Sequence, residues 1–357
     1  MKYVGIDVHK KMCQAAVLDE DGSLLDEMRF PNDAKGIEDF TLKLTAFKDE
    51  VKAVVESTGN LWIQIHDRLE KHGFTVSLSN PGKTRLIAEA KVKTDKVDAK
   101  TLARLLRAEM LATCYVPDEE QRSRRELLRH RLKLVKTQTE AKNRIHSLLD
   151  KHGIRIPCKT PFSRKSIEWI RGQSFGLIDD AILRSDLALL EALDEQIEFI
   201  EERIAALAVE SQQVRLLMTM TGVGYFTAML ILTEICTIER FPSDKKFSSW
   251  MGLAPSVHQS GEKTHIGGIA PGNKRMRWVM VQCAHAAVRY DPELKGFYER
   301  YSKRKSKKGA VVAVAHEMAR ILYYMLKWNE PYRGENRRLT ERKLKNMENK
   351  ALNGLRN

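Results

Sequence analysis

No stretch of the 357 residues approaches the roughly 18–20 consecutive apolar positions that a membrane helix requires, and mean hydropathy is −0.41. An integral membrane protein is excluded on that ground. The opening residues, MKYVGIDVHKK, hold no signal-peptide apolar core. Cysteine is scarce: Cys13, Cys114, Cys158, Cys236 and Cys283 are scattered, odd in number and without a close pair. That excludes a disulfide framework and a structural zinc site. Acidic residues are outnumbered, 47 Asp and Glu against 61 Lys and Arg, a net charge of +14. Internal repeats are absent. What is present is enough apolar residue, 43%, for real cores. The length suggests two or three domains. The expectation is a soluble, cytoplasmic protein with a polyanionic partner.

The charge is segregated. Residues 1–117 carry 18 basic and 18 acidic side chains, whereas residues 118–357 carry 43 and 29, so the whole +14 lies in the second part. A basic surface attracts phosphate backbones through counterion release, without reading sequence. A basic surface kept only for solubility would not call for such a division. A neutral front beside a basic rear suggests that one part does chemistry on a nucleic acid which the other part holds.

The front part alternates regularly. KYVGIDV at 2–8 is an apolar strand interrupted by one carboxylate, and two further strands flank the hairpin signal Asp21-Gly22. Helical spacing of Ile37, Phe40, Leu44 and Phe47 follows, then the strand VKAVVES at 51–57. A helix through Leu61, Ile65 and Leu69 stops at Gly73, and a strand at 74–80 ends at Pro81-Gly82. A helix covers 94–110. Three meandering strands followed by βα alternation predict a mixed sheet covered by helices. The rear part is α: long helices at 118–152 and 181–212, paired as an antiparallel coiled coil or set in an ordinary bundle, with an irregular stretch at 153–180 between them. Thr221-Gly222-Val223-Gly224 enters an apolar helix, a place where free N–H groups can bind phosphate. Glycine-rich loops and short strands fill 247–272, and a basic helix runs from Asn273 through Arg289. The last ~20 residues, by their polarity, read as a mobile basic tail.

Four carboxylates stand out. Asp7 lies inside an apolar strand, where an uncompensated charge is expensive. Glu56 ends a second apolar strand. Asp95 and Asp98 share one helical face with Leu102, Leu105 and Leu106, the face that packs inward. Crowded, partly buried carboxylates repel one another and persist when a divalent cation neutralises them. Mg²⁺ or Mn²⁺ takes oxygen ligands and leaves positions for phosphate oxygens and water. Three of them also have a plainer role: Asp95 as a helix cap, Asp98 as a first-turn charge, Glu56 as a solvent-facing strand end. His9 shares the face of Asp7 but reads as an ordinary histidine.

GIDVHK around Asp7, VVESTG around Glu56 and KTDKVDAKTLA around Asp95 and Asp98 resemble the motifs of the DEDD transposases, insertion-sequence recombinases with a RuvC-like amino-terminal domain. The strand and helix order is similar to the RNase H-like fold of that domain. MTGVG at 220–224 and WMGLAPSVHQSGEKTHIGGIAPGNKRMRW at 250–278 resemble the family's carboxy-terminal transposase domain. The resemblance implies a metal-binding tetrad of Asp7, Glu56, Asp95 and Asp98, and a catalytic serine at Ser260. It further implies donor and target DNA as substrates, a structured noncoding guide RNA as in the bridge recombinases, and dimers that combine into a tetramer. The active site would join the RuvC-like part of one subunit to the serine domain of another. The implied domains are 1–117 (RuvC-like), 118–212 (coiled coil), 213–330 (serine domain) and 331–357 (basic tail), in a nucleoid-associated protein.

Read without the family, Ser260 before Gly261 is ordinary turn chemistry, with Lys263, His265, Lys274, Arg275 and Arg277 near in sequence to neutralise phosphate. A serine hydroxyl needs a base or a metal to activate it, and no local Ser–His–Asp triad can be assigned. Two other functions fit parts of the pattern. A metal-dependent junction nuclease without strand joining would use the tetrad but not Ser260. A non-catalytic nucleic-acid-binding protein would explain the charge but not the inward-facing carboxylates.

Overall fold

Period-two alternation along residues 2–8 puts Val4, Ile6 and Val8 on one face of the first strand and Gly5 and Asp7 on the other. Around that strand a computed structural model describes residues 1–57, 59–87, 94–260, 263–304 and 306–354, with the backbone alone at 85, 86 and 257–266. The chain forms two units, Met1–Pro117 and Asp118–Asn357.

In the first unit the elements run β1 (Lys2–Val8), β2 (Met12–Leu18), β3 (Leu24–Pro31), α1 (Ala34–Thr45), β4 (Val51–Glu56), α2 (Trp62–Lys71), β5 (Thr75–Ser79), α3 (Pro81–Ile87), α4 (Asp95–Arg107) and β6 (Thr113–Cys114). They make one mixed sheet in the order β3-β2-β1-β4-β5-β6. The first three strands are an antiparallel meander, β4 and β5 join parallel, and β6 returns antiparallel. Val4, Ile6 and Val8 pack with Ala53 and Val55 of β4 against Ile37, Phe40, Leu44, Ile65 and Leu69 of α1 and α2. The other face receives α4. A Cβ on Gly5 would lie 2.1 Å from the Ala99 carbonyl oxygen and 2.5 Å from the Ala103 nitrogen. Only glycine allows this backbone contact.

The second unit continues with α5 (Glu119–Lys151), α6 (Arg164–Arg171), α7 (Leu177–Val209), α8 (Gln212–Met218), α9 (Tyr225–Ile235), α10 (Asp244–Trp250), the hairpin β7 (Pro255–Ser260) and β8 (Lys263–Ile269), α11 (Lys274–Tyr290), α12 (Pro292–Ser302), α13 (Lys307–Trp328) and α14 (Arg337–Gly354). Helices α5 and α7 run antiparallel, since Arg131 meets Glu201, Arg144 meets Asp186 at 2.7 Å and Lys151 meets Asp179 at 2.7 Å. Among the described residues no helix is long and apolar enough to cross a membrane, and the five cysteines are free.

Three stretches depart from expectation. Residues 153–180 are not wholly irregular: α6 forms there, capped by the Ser163 hydroxyl, and buries Ile170 against Ile145, Leu149 and Leu183. Its two turns are too short to show a period beside Pro157 and Pro161. Pro81-Gly82 ends a strand but also opens α3, because proline suits the first turn of a helix. The last ~20 residues, expected as a mobile tail, are as far as Gly354 part of helix α14, packed on α7. Met347 is fully buried, and the Lys350 ammonium lies 2.7 Å from both Glu198 and Glu201. Its polarity serves ion pairs on α7, which composition alone cannot reveal.

Gly5→Ala is expected to destabilise the first unit by about 3 kcal/mol, the upper end for overpacking against backbone. Urea denaturation reads this directly; a cost under about 0.5 kcal/mol would mean that α4 can retreat.

Candidate active site

The glycine contact fixes where the carboxylates stand. With α4 lying on β1 at Gly5, its first turn comes over the end of the strand, where Asp7 is 4% exposed. The helix is capped by Thr94, whose hydroxyl accepts from the Val97 N–H at 3.3 Å, so capping does not account for Asp95. The His9 Nε2 lies 3.1 Å from Asp7 Oδ2 and 3.2 Å from Asp95 Oδ1. Ligand-type atoms of Asp7, His9 and Asp95 all fall within 4.8 Å of one another. Asp7 is the buried floor of this group. The His9 and Asp95 side chains, 55% and 58% exposed, form its open rim, so Asp95 faces outward more than its helical face suggests.

Asp98 and Glu56 stand outside that tight group among the described residues. Asp98 is half-buried and close enough for its charge to act on Asp7. Glu56 follows Val55, which pairs with Ile6 in the parallel β1–β4 register, so it is level with Asp7 on the neighbouring strand. Val51, Ala53 and Val55 belong to the core on the α1/α2 side, so by alternation Glu56 shares the α4 side with Asp7. Burial pushes the Asp7 carboxyl above the usual carboxylate range; His9 pulls against this, while Asp98 and Asp95 add to the rise. His9 is thus at the centre of the cluster. The signal for it was the two-residue spacing from Asp7, too common on its own to count. A further group, His66, Asp67 and Glu70, lies within α2, where i, i+1 and i+4 neighbours meet by helical geometry alone.

In the second unit, Ser260 is the last residue of β7, opposite Lys263 in the hairpin register; Gly261 and Glu262 fall outside the described residues. The hairpin stem is pinned where two glycines cross. A Cβ on Gly272 would lie 2.4 Å from the Gly252 Cα, Gly252 has φ +70°, and the Asn273 N–H donates to the Trp250 carbonyl at 2.8 Å. Of the nearby basic residues, Arg275 is engaged: it shares the buried Glu234 with Arg129, at 3.1 and 2.8 Å. Burial opposes ionisation of Glu234, but Arg129, Arg125 and Arg275 hold its carboxyl below the ordinary range. The turn 221–224 is tied down on its carbonyl side, and among the described residues the N–H groups at the start of α9 have no side-chain cap. Thr221 and Val223 are buried, and the Lys343 ammonium donates to the Val223 carbonyl at 3.0 Å as well as to the Met218 carbonyl and, at 3.0 Å, the Met220 carbonyl just before the turn. Burial lowers that lysine to about 8.

Residues 4–154 match the DEDD transposase family of IS110 elements, and residues 214–299 match the transposase IS116/IS110/IS902 family. The chain belongs to the IS110-type DEDD transposases. It is similar to the transposase for insertion sequence element IS1111A of Coxiella burnetii, 25% identical over 347 residues that cover 93% of this chain and 92% of the relative. The pilin gene-inverting protein of Moraxella bovis is 24% identical over 345 residues, 92% of this chain and 97% of the relative. A putative transposase, y4qE, of Sinorhizobium fredii is 31% identical over 205 residues, which span 57% of this chain and half of the relative. Membership places this transposase among enzymes that act on DNA.

A carboxyl raised on folding binds its proton more tightly folded than unfolded, so ionised Asp7 weakens the metal-free fold above the ordinary value of 3.8. Asp7→Asn is therefore expected to melt higher than wild type at pH 7 in chelator, with the gap closing as pH falls toward 4. A variant that melts lower at pH 7 would show that Asp7 is paid back by its neighbours without a cation.

Proposed function

We propose that this transposase cuts and rejoins donor and target DNA, with Asp7, Glu56, Asp95 and Asp98 holding Mg²⁺ or Mn²⁺ and Ser260 as the nucleophile. The observation that carries it is the gathering of Asp7 and Asp95 about His9, with the charge of Asp98 acting on Asp7 and Glu56 level with it on the next strand. The donors suit such an ion. Carboxylate oxygens are hard ligands, and Asp7 is a nearly inaccessible carboxyl pushed upward by burial, with His9 opposing the rise and Asp98 and Asp95 adding to it. The bound ion would supply positive charge to a phosphate and to its attacking and leaving oxygens.

The first unit, 1–117, is read as an RNase H-like, RuvC-like catalytic domain. A meander joined to two parallel strands, with a helix over the central strand, supports this. Residues 118–212 are read as a coiled-coil segment, supported by the antiparallel α5–α7 pairing, and 213–330 as the serine domain. Ser260 attacks a backbone phosphorus through Oγ. One P–O bond forms to serine as the P–O bond to the leaving sugar oxygen breaks; the serine proton is lost to solvent and the sugar oxygen gains one. A free sugar hydroxyl from the other strand then reverses the exchange and releases serine. The phosphate ester energy is retained, so rejoining needs no nucleotide cofactor. A noncoding RNA would choose the sites by base pairing while the basic second unit holds backbones, a division of labour seen in other guided systems. A homo-oligomer, dimer or tetramer, in the nucleoid completes the reading.

A junction nuclease that never rejoins uses the same carboxylates. The name of the Moraxella relative favours rejoining, because inverting a gene requires both new junctions to be sealed. The deciding experiment incubates the protein with element DNA and the transcript of its flanking noncoding stretch. A covalent protein–DNA adduct is expected with wild type and none with Ser260→Ala, and EDTA is expected to stop cleavage. A full yield of recombined product from Ser260→Ala, or undiminished cleavage in chelator, would overturn the proposal.

A further inference from the structure

The family motif accounts for four carboxylates and leaves His9 without a task, although it stands between two of them. We infer that His9 is a direct ligand of the divalent cation, an imidazole donor that tilts this site from Mg²⁺ toward Mn²⁺. The inference rests on the reading that Asp7 and Asp95 hold such an ion.

Three observations carry it. The first is spacing. The His9 Nε2 is 3.1 Å from Asp7 Oδ2 and 3.2 Å from Asp95 Oδ1. Adjacent ligands in an octahedral shell of about 2.1 Å radius are about 3 Å apart. The nitrogen therefore already stands from each carboxylate oxygen at the separation of neighbouring ligands, and all three atoms lie within 4.8 Å of one another. The second is anchoring. The His9 N–H donates to the Met12 carbonyl at 3.2 Å, and its own carbonyl accepts from Asn32 Nδ2 at 2.9 Å, so the ring swings from a fixed root at the end of β1. The third is exposure. The ring is 55% exposed and Asp95 58%. The His9–Asp95 contact at such an open rim adds little to stability, so the relief that His9 gives buried Asp7 does not explain why Asp95 is drawn in as well.

The chemistry follows from donor type. Mg²⁺ takes oxygen and gives up its waters reluctantly; Mn²⁺ also favours carboxylates, but it opens the first-row series whose affinity for nitrogen donors rises along it, so of the two ions it accepts an imidazole more readily. A nitrogen ligand beside carboxylates separates the two ions, which an all-oxygen tetrad would not.

The full-length protein is loaded with Mn²⁺ or Mg²⁺ alone, without DNA. Pulsed electron paramagnetic resonance of the Mn²⁺ form reads nitrogen coupled to the ion, and calorimetry reads both affinities. Circular dichroism checks that each variant is folded. The expected result is a nitrogen coupling in wild type that His9→Ala removes, with Mn²⁺ affinity falling by about 10-fold and Mg²⁺ affinity by markedly less. Bound Mn²⁺ without nitrogen coupling overturns the inference, as does an equal loss for both ions, the pattern of a residue that only orients carboxylates. The underlying metal reading fails separately: there wild type binds neither ion, or Asp7→Asn binds both as well as wild type does.

Discussion

How near α4 can come to β1 decides what the first unit can do. At Gly5 the helix backbone lies where any side chain would stand, and the small residues Ala99 and Ala103 face it from the helix. That contact sets the height of α4 above the sheet and the place of its first turn. Because Asp95 and Asp98 occupy that turn, they come over Asp7, two residues along the strand from the glycine. The parallel pairing of β4 brings Glu56 level with Asp7. An added methyl at residue 5 would thus separate the carboxylates without touching any of them.

The energetic tension at the site follows from the same packing. Asp7 is nearly inaccessible and close to two other acids, and among the described residues a partly exposed histidine stands in opposition. Folding opposes its ionisation, and the proposed cation would remove that opposition. In the second unit charge is handled in the opposite way. Glu234 is as buried as Asp7, but Arg129, Arg125 and Arg275 surround it and keep it ionised. One buried acid is matched by three guanidinium groups and the other by a single imidazole. The excess of lysine and arginine in that unit is also less free than the count suggests, because Arg131, Arg144, Lys151 and Lys350 bind the helices to one another.

The sequence displayed the sheet well, because strands such as KYVGIDV and VKAVVE combine alternation with β-branched residues, and the glycines that end helices are unambiguous. It also singled out the carboxylates, since an acid within an apolar strand needs a reason. What it could not display depends on distance rather than pattern. The contacts of His9 with both Asp7 and Asp95 join residues 86 positions apart. The turn at 221–224 resembles an anion seat in sequence, but the Lys343 that holds the Val223 carbonyl comes from a helix some 120 residues further on. Helix α14 looked like a solvated tail because its partners, Glu198 and Glu201, lie on a helix far back in the chain.

The most direct measurement is an anomalous-scattering map from crystals of the full chain soaked in Mn²⁺. The expected map has a peak within about 2.3 Å of an Asp7 carboxylate oxygen, shared with Asp95 and with at least one of Glu56 and Asp98. A peak confined to His66, Asp67 and Glu70, or a saturating soak that leaves Asp7 bare, would contradict the metal-centred description of this site.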